Sequence, residues 1–370
     1  MTSHPALTFK SIAARPSPAR ATGVATALQR QLFSSLPNTL LTLLLFGVFA
    51  WLALKGLSWG VVHAVFAADA DQCQVARGVG ACWGVINEKA RFILLGRYPQ
   101  PQQWRPVLAT CALMLPVLAS CNPRLWKPSL VLIWVSGIAA FTGLMGGGFA
   151  GLIQVPTDQW GGLPLTLMLS VLSMVLAFPI AVLAALGRRS GMPAIRSLCQ
   201  VFIELVRGVP LISVLFMASF MLPLFLPADK SPDVLIRVIV GITLFAAAYM
   251  AEIIRGGLQT VTSGQTEAAA SLGLTYWQMQ RTIILPQALA AVVPSIVNNF
   301  ISLFKDTSLV TIVSLYELTG ALSLALGSDP NWRPFKIEAY LFIAAIYFAF
   351  CYAMSRYSLR VEQRLKRKGH

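Results

Sequence analysis

The sequence lacks the motifs that would make this chain an enzyme. It contains no phosphate-binding loop of the form GxxxxGK[ST], because no Lys in it directly follows a Gly. The zinc motif HExxH is also missing, and His4, His63 and His370 lie far apart. No two of the six cysteines have CxxC spacing. We therefore expect no catalytic residues, no metal site and no ATP hydrolysis by this chain.

Charge is scarce as well. Only 12% of the 370 residues are charged, 56% are hydrophobic, and the mean hydropathy is +0.69. This composition is too apolar for a soluble domain and predicts an all-α, polytopic membrane protein. The net charge of +15 does not indicate nucleic-acid binding, since membrane proteins collect Lys and Arg in their cytoplasmic loops.

About eight segments are apolar and long enough to be transmembrane helices. They lie at roughly 31–54, 105–124, 130–152, 163–186, 210–225, 234–251, 288–311 and 339–354. The sixth has the shortest uncharged stretch, between Arg237 and Glu252, so a re-entrant helix is its alternative.

The distribution of charge predicts the orientation. Eight spans put both termini on one side, and the segments on that side carry more Lys and Arg than the opposite segments. The positive-inside rule then predicts a multi-pass membrane protein with both termini in the cytoplasm. Cys73 and Cys82 share an outer hydrophilic loop. The two cysteines form a disulfide if that compartment is oxidising and remain free thiols if it is reducing, and the sequence leaves both alternatives open.

A short polar segment at 266–286, TEAAASLGLTYWQMQRTIILP, separates two apolar spans. Thr266 is expected to cap a first short helix, and Gly273 to end it in a left-handed conformation. Thr275 and Gln278 have the spacing of a capping box for a second helix, which Pro286 would limit. The pattern predicts two short helices joined by a fixed elbow.

Ionisable and polar residues within the spans are the candidates for a transport pathway, because charge is costly in lipid. Glu204 and Arg207 are three residues apart, as are Glu252 and Arg255, which follow Tyr249. Structural pairing and a place in the pathway are both open for these two pairs. A third cluster lies in the seventh span and comprises Asn298, Asn299, Ser302, Lys305, Asp306, Thr307 and Ser308.

Lys305 and Asp306 present both signs of charge, as recognition of a zwitterion requires. Adjacent helical residues point about 100° apart, however. Contact with a substrate or gate and pairing with a neighbouring helix therefore remain alternatives for these two residues.

The elbow carries a recognisable spacing, EAA-x3-G-x9-I-x-LP, which resembles the coupling helix of permease subunits of ATP-binding-cassette (ABC) importers. In that family the helix docks into a groove of the ATPase subunit. The resemblance assigns the docking surface to Glu267, Ala268, Ala269, Leu272, Gly273, Trp277, Leu285 and Pro286. The alternative is an amphipathic helix pair lying in the membrane interface.

The wider pattern resembles the five-helix core of polar amino-acid permeases, through GGLPLTLMLS, ELVRGVPLI, AEIIRGGLQTV, ILPQALA and NNFISLFKDTSL. The N-terminal part, with its GACW and GRYPQPQQW segments, is similar to the M-type subunit of general L-amino-acid transporters. The expected organisation is a cytoplasmic tail at 1–36, three additional spans at 37–153 with a periplasmic loop at 60–104, the permease core at 162–360, and a basic cytoplasmic tail at 361–370.

The resemblance implies an L-amino-acid importer of the bacterial inner membrane that works by alternating access. It also implies a cytoplasmic ABC ATPase dimer that binds ATP and Mg, a second homologous permease subunit, with a heterodimer favoured over a homodimer, and a periplasmic amino-acid-binding protein. A permease for another small polar solute is the first alternative. A secondary transporter, which would need no ATPase, is the second.

Overall fold

The computed structural model describes residues 28, 31–122, 125, 127–149, 151–227 and 231–368. Within these ranges the chain forms helices and no strand, and an isolated β-bridge links Gly162 and Glu317. The all-α, polytopic fold class is therefore confirmed. The tail expected at 1–36 lies mostly outside the described residues, as do the last two residues of the tail expected at 361–370.

The first of two compact units comprises residues 1–65 and 76–81. In its described part, helix α1 (Leu36–Leu57) begins after Ser35, whose hydroxyl accepts a hydrogen bond from the Asn38 N–H. The helix continues through a π-helical turn (Ser58–Val62), and none of its side chains is buried. An apolar helix of 27 residues with no buried face is long enough to cross a bilayer among lipids.

The second unit comprises the described residues of 66–75 and 82–370 and contains the later helices. Those before the elbow are α2 (Ala70–Ala76), whose last residue is assigned to the first unit, α3 (Gly84–Leu95), α4 (Trp104–Ser120), α5 (Ser129–Gly146), α6 (Gly162–Arg188), α7 (Pro193–Gly208), α8 (Leu211–Phe216) and α9 (Val234–Thr260). The later ones are α10 (Ser263–Ser271), α11 (Tyr276–Met279), α12 (Leu285–Asp306), α13 (Leu318–Gly327) and α14 (Lys336–Lys368).

The described chain contains six helical segments that are long and apolar enough to span a membrane, fewer than the eight expected. They are Leu36–Val62, Ser129–Gly146, Gly162–Arg188, Val234–Thr260, Tyr276–Val313 and Arg333–Gln363. A seventh is obtained if α7 and the segment Leu211–Phe225, which are bent by 105° relative to each other, count as one span.

The expected spans at 105–124 and 210–225 are the two that do not form long continuous helices, and each has a local cause. Helix α4 has only 17 residues and ends at Ser120, just before the Asn-Pro pair of the sequence, which cannot continue a helix. The segment expected at 210–225 breaks into α8, a π-helical turn (Met217–Met221) and a 3₁₀ turn (Leu222–Phe225). Pro210 forces Val209 into an extended conformation and so separates this segment from α7.

Helices α6 and α9 form the centre of the second unit. Each presents small buried side chains to the core, among them Ala177 and Ala181 of α6 and Ala247 and Ala251 of α9. Small side chains let helices approach closely within a membrane. At 27 residues, α9 is long enough to cross, which favours the crossing alternative for the sixth span.

Candidate functional site

The elbow lies between α9 and α12. Gly273 follows α10 with a φ of +73°, as predicted, and this conformation suits glycine because it has no Cβ. The predicted capping box is also present. The Thr275 N–H donates to Oε1 of Gln278 at 2.9 Å, and the Gln278 N–H donates to Oγ1 of Thr275 at 3.5 Å. Local hydrogen bonds therefore fix the start of α11.

Two details of the elbow differ from the prediction. Thr266 does not cap the first helix, because the chain turns helical earlier, at Ser263 after the extended residue Thr262. Pro286 does not limit the second helix, since the chain stays helical from Tyr276 to Val313. Pro286 lies in the first turn of α12, after a π-helical turn (Gln280–Ile284), where its missing N–H does little harm.

The elbow exposes apolar side chains. Leu272 is 77% exposed and Trp277 is 64% exposed, and the Tyr276 ring contacts the Trp277 ring edge-on. Most of the other predicted docking residues are also exposed; Ala269 is buried and Leu285 is half-buried. The side chain of Gln287 in α12 donates to that of Gln265 in α10 at 3.2 Å. The eight predicted docking residues thus lie on one continuous stretch with an exposed apolar tip.

The polar cluster in the seventh span divides into two parts. Asn298, Asn299 and Ser302 line an open cleft of about 480 Å³, together with Ile253 of α9 and Pro294 and Ser295 of α12. Lys305 is exposed and Asp306 half-buried, and the two form no ion pair with each other or with any other described residue. Thr307 is buried and donates to the Phe304 carbonyl, and Ser308 is half-buried.

The cleft belongs to a polar stripe along α12. Residues that recur every three or four positions lie on one face of a helix. The stripe consists of Gln287, Ser295, Asn298, Ser302 and Lys305, with the small apolar Ala291 between the first two. Most of these positions are exposed and none is buried, which leaves a polar face on a helix long enough to span a membrane.

An ion-pair network joins three helices near the end of α6. Arg188 contacts Oε2 of Glu252 in α9 at 2.9 Å and Oε1 of Glu204 in α7 at 3.1 Å. Glu252 also accepts from the Nε of Arg255, at 2.9 and 3.0 Å. Of the two Glu/Arg pairs predicted from spacing, the pair of Glu252 and Arg255 is thus present.

The other predicted pair, Glu204 with Arg207, is wrong. Arg188 binds Glu204 instead, and the Arg207 guanidinium lies over the Tyr249 ring, 5.5 Å from its centroid. The Tyr249 hydroxyl donates to the Arg207 carbonyl at 3.4 Å. Sequence spacing missed Arg188, although the GRRS sequence at the end of α6 was a visible basic signal.

Glu317 is a second residue that the sequence did not single out. It is fully buried and caps α13, accepting from the N–H groups of Thr319 and Gly320 at 2.9 Å each. It also accepts from the hydroxyl of Tyr347 in α14, at 3.0 Å, and lies 3.4 Å from that of Thr166 in α6. Glu317 therefore connects α6, α13 and α14.

Near α2 and α3, Cys73 and Cys82 form a disulfide, with their Cα atoms 5.4 Å apart. The Cys82 N–H donates to the buried carboxylate of Glu338 at 3.1 Å, which attaches this loop to the start of α14. Lys89 of α3 pairs with Asp329 at 2.7 Å. The hydrogen bond that the Lys89 ammonium donates holds the pKa of the Asp329 carboxyl below its usual range. In the described part of the chain, no three His, Cys, Asp or Glu residues cluster as metal ligands would.

Comparison with known proteins gives consistent matches. Residues 177–367 match the family described as the binding-protein-dependent transport system inner membrane component. The chain is 45% identical to the inner membrane amino-acid ABC transporter permease protein YhdY of Escherichia coli (strain K12), over 91% of this chain and 92% of the relative. It is 38% identical to the glutamate/glutamine/aspartate/asparagine transport system permease protein BztC of Rhodobacter capsulatus, over 96% of this chain and 97% of the relative.

A shorter relative matches only about half of this chain. The probable glutamine ABC transporter permease protein GlnP of Bacillus subtilis is 36% identical over 55% of this chain and 92% of its own length. YhdY and BztC, in contrast, match this chain over nearly its whole length.

Proposed function

Because this chain belongs to the binding-protein-dependent transport system inner membrane components, as a permease of an amino-acid ABC importer, we propose that its elbow at 263–286 is the docking point for a separate ATPase. The observation that carries this proposal is the exposed apolar tip of Leu272 and Trp277 on a backbone fixed by Gly273 and a capping box. A surface of this kind is expected where a partner covers it.

The ATPase partner is a dimer. It binds ATP and Mg in place of this chain, which has no phosphate-binding loop of its own. Both termini and the elbow lie in the cytoplasm, and the chain crosses the inner membrane several times. Residues 162–360 are the permease core, and residues 37–153 add the spans of an M-type subunit. A second homologous permease subunit completes a heterodimer, and a periplasmic binding protein delivers the substrate.

The substrate path runs along the polar stripe of α12. Its cleft offers the amide and hydroxyl groups of Asn298, Asn299 and Ser302, which can bind the ammonium and carboxylate of an amino acid. Lys305 and Asp306, further along the same helix, add both signs of charge. The substrates are L-amino acids, and the substrates named for BztC make the acidic amino acids and their amides the first to test.

Alternating access follows from the position of the elbow. It begins three residues after α9, and α12 follows it directly. Closure of the ATPase dimer would shift these two helices against α6 and so change which side of the membrane the cleft faces. The network of Arg188, Glu204, Glu252 and Arg255 would hold the inner ends of the helices in the resting arrangement.

The docking proposal is tested with Leu272→Asp. Leu272 is largely exposed in the subunit, so the fold should tolerate the change, whereas a charge at a covered apolar contact should weaken the complex. Losing a buried leucine contact removes about 1.5–3 kcal/mol, or roughly ten- to hundredfold in affinity. The measurements are copurification of the ATPase and ATP-dependent amino-acid uptake, with Leu272→Met as the matched apolar control.

We expect Leu272→Met to retain both properties and Leu272→Asp to lose both while still reaching the membrane. Full copurification of the ATPase with Leu272→Asp would contradict docking at the elbow. Uptake by the wild type that persists without an ATPase would support a secondary transporter.

A further inference from the structure

The second compact unit contains an arginine whose donors are largely unused. Arg237 lies in the first turn of α9, at the end opposite the elbow, and is only 9% exposed. Its Nη1 donates to the carbonyl of Ser219. Its Nε is buried without a hydrogen-bond partner, and among the described residues Nη2 has no partner either.

The other buried arginine of the described chain is a useful contrast. Arg105 is fully buried, and its Nε donates to the Leu144 carbonyl at 2.7 Å. Its Nη1 donates to the Ile153 carbonyl at 2.8 Å, and its Nη2 to that of Met145 at 3.5 Å. All three nitrogens of Arg105 are therefore used for structure, whereas Arg237 uses one of three.

Arg237 is also poorly placed for stability alone. A cation in the first turn faces the positive end of the helix dipole, which is unfavourable. A buried charge without a partner of opposite sign costs several kcal/mol, and Arg237 forms no ion pair with any described residue. Ionisable residues with these properties inside membrane proteins indicate a functional site.

The segment facing Arg237 explains how its guanidinium is held. Ser219 lies in the π-helical turn Met217–Met221, four residues before Pro223 of the following 3₁₀ turn. In a regular helix the N–H of residue 223 would bind the Ser219 carbonyl, but proline has none. Arg237 supplies the missing donor. One turn along α9, a Cβ at Gly241 would lie 3.3 Å from Ala218, so the two segments are in close contact.

Anchoring through Nη1 leaves the side edge of the guanidinium, Nε with Nη2, free to donate two parallel hydrogen bonds. This is the geometry in which arginine binds a carboxylate in bidentate fashion. The hydroxyl of Ser219 is buried nearby, also without a partner. It can contribute a third donor to the same anion.

We propose that Arg237, positioned by the Ser219 carbonyl, binds the α-carboxylate of the transported amino acid at the end of the permease opposite the elbow. This inference rests on the proposed function, because it takes an amino acid as the substrate. It adds a carboxylate subsite about 35 Å along α9 from Thr260, by the rise of 1.5 Å per residue. The subsite is separate from the cleft beside Asn298.

The test uses the detergent-purified complex of this chain with its permease and ATPase partners, without binding protein. The probe is a labelled amino acid that the wild-type complex accumulates in proteoliposomes when its binding protein is supplied, and the competitor is the α-amide of that amino acid, which has a neutral carboxamide. Arg237→Gln removes the positive charge and the paired N–H donors of Nε and Nη2, but its amide N–H₂ can still donate to the Ser219 carbonyl. Arg237→Lys keeps the positive charge but cannot present two parallel N–H donors from two nitrogens.

We expect Arg237→Gln to weaken binding of the amino acid roughly ten- to hundredfold, the usual effect of losing charged hydrogen bonds, and to leave binding of the amide unchanged. Arg237→Lys should fall between the two, and Ser219→Ala should show a smaller loss of the same kind. Wild-type affinity for the amino acid in Arg237→Gln would overturn the inference. Equal losses for the amino acid and the amide would also overturn it, because Arg237 would then serve only the fold. A wild-type complex that accumulates no amino acid even with its binding protein present would contradict the proposed function itself.

Discussion

The contacts of Arg188 permit a quantitative prediction, because its two carboxylate partners differ in exposure. The side chains of Arg188 and Glu252 are 21% and 23% exposed, whereas that of Glu204 is 55% exposed. Exposed ion pairs contribute about 0.2–1 kcal/mol, and breaking a fully buried pair costs about 3–5 kcal/mol. We therefore expect a coupling energy of about 1.5 kcal/mol between Arg188 and Glu252, and about 0.5 kcal/mol between Arg188 and Glu204.

Double-mutant cycles measure these coupling energies. Each acid is changed to Gln and each Arg to Gln, singly and together, and the free energy of unfolding is followed by tryptophan fluorescence as the denaturing fraction of the micelle rises. The cycle of Glu204 with Arg207 is the control, because these residues form no ion pair despite their spacing. It should give a value near zero.

The order of the three energies is the decisive result. A Glu204–Arg207 coupling larger than that of Arg188 with Glu252 would show that spacing along one helix, and not the contact across helices, decides the pairing. Equal coupling of Arg188 to both acids would refute the use of exposure to rank them.

Two further predictions concern the region around α2, α3 and α14. Lys89 holds the pKa of Asp329 below its ordinary value of 3.8, so the pair contributes stability above that pH and loses it as the pH falls further. The melting temperature of the wild type should therefore drop below about pH 4 more than that of Asp329→Asn, and parallel curves would contradict this. Changing Cys73 and Cys82 together to Ser should lower the free energy of unfolding by about 2–3 kcal/mol, by the loop-closure estimate. An unchanged stability, with Cys111→Ser as control, would show that the disulfide does not constrain the loop.

The elbow was largely predictable from sequence because its determinants are local. A glycine at a left-handed position and a Thr with a Gln three residues later act within a few residues of themselves. The two misplaced boundaries depend on backbone geometry a few residues earlier, which the motif does not encode. Thr266 lies inside α10 because the chain turns at Thr262, and Pro286 is tolerated because a π-helical turn precedes it.

The ion pairs show where sequence reasoning stops. Spacing of three residues identifies partners on one helix, and it found Glu252 with Arg255. It could not find Arg188, which reaches two acids on two other helices. The sequence likewise did not single out Arg237, because its burial depends on how the broken segment at 211–225 packs against α9.

The polar stripe was also only partly visible. Asn298, Asn299 and Ser302 were identified as polar residues in an apolar span, and the structure brings them to one cleft. The same cluster included Thr307. This residue follows the end of α12, and its hydroxyl donates a hydrogen bond to the Phe304 carbonyl instead of lining the cleft. The change from α-helix to 3₁₀ turn at that point separates Thr307 from the cleft.

The uninterrupted helical course from Tyr276 to Val313 has a mechanical consequence. Trp277 at the elbow and Asn298 at the cleft lie on the same rod, about 30 Å apart by helical rise. A displacement of the elbow tip is therefore transmitted to the amides that line the cleft through one continuous helical segment, with no loop in between. Inserting two glycines between Trp277 and Asn298 should therefore leave ATP hydrolysis by the partner ATPase intact while amino-acid uptake is lost.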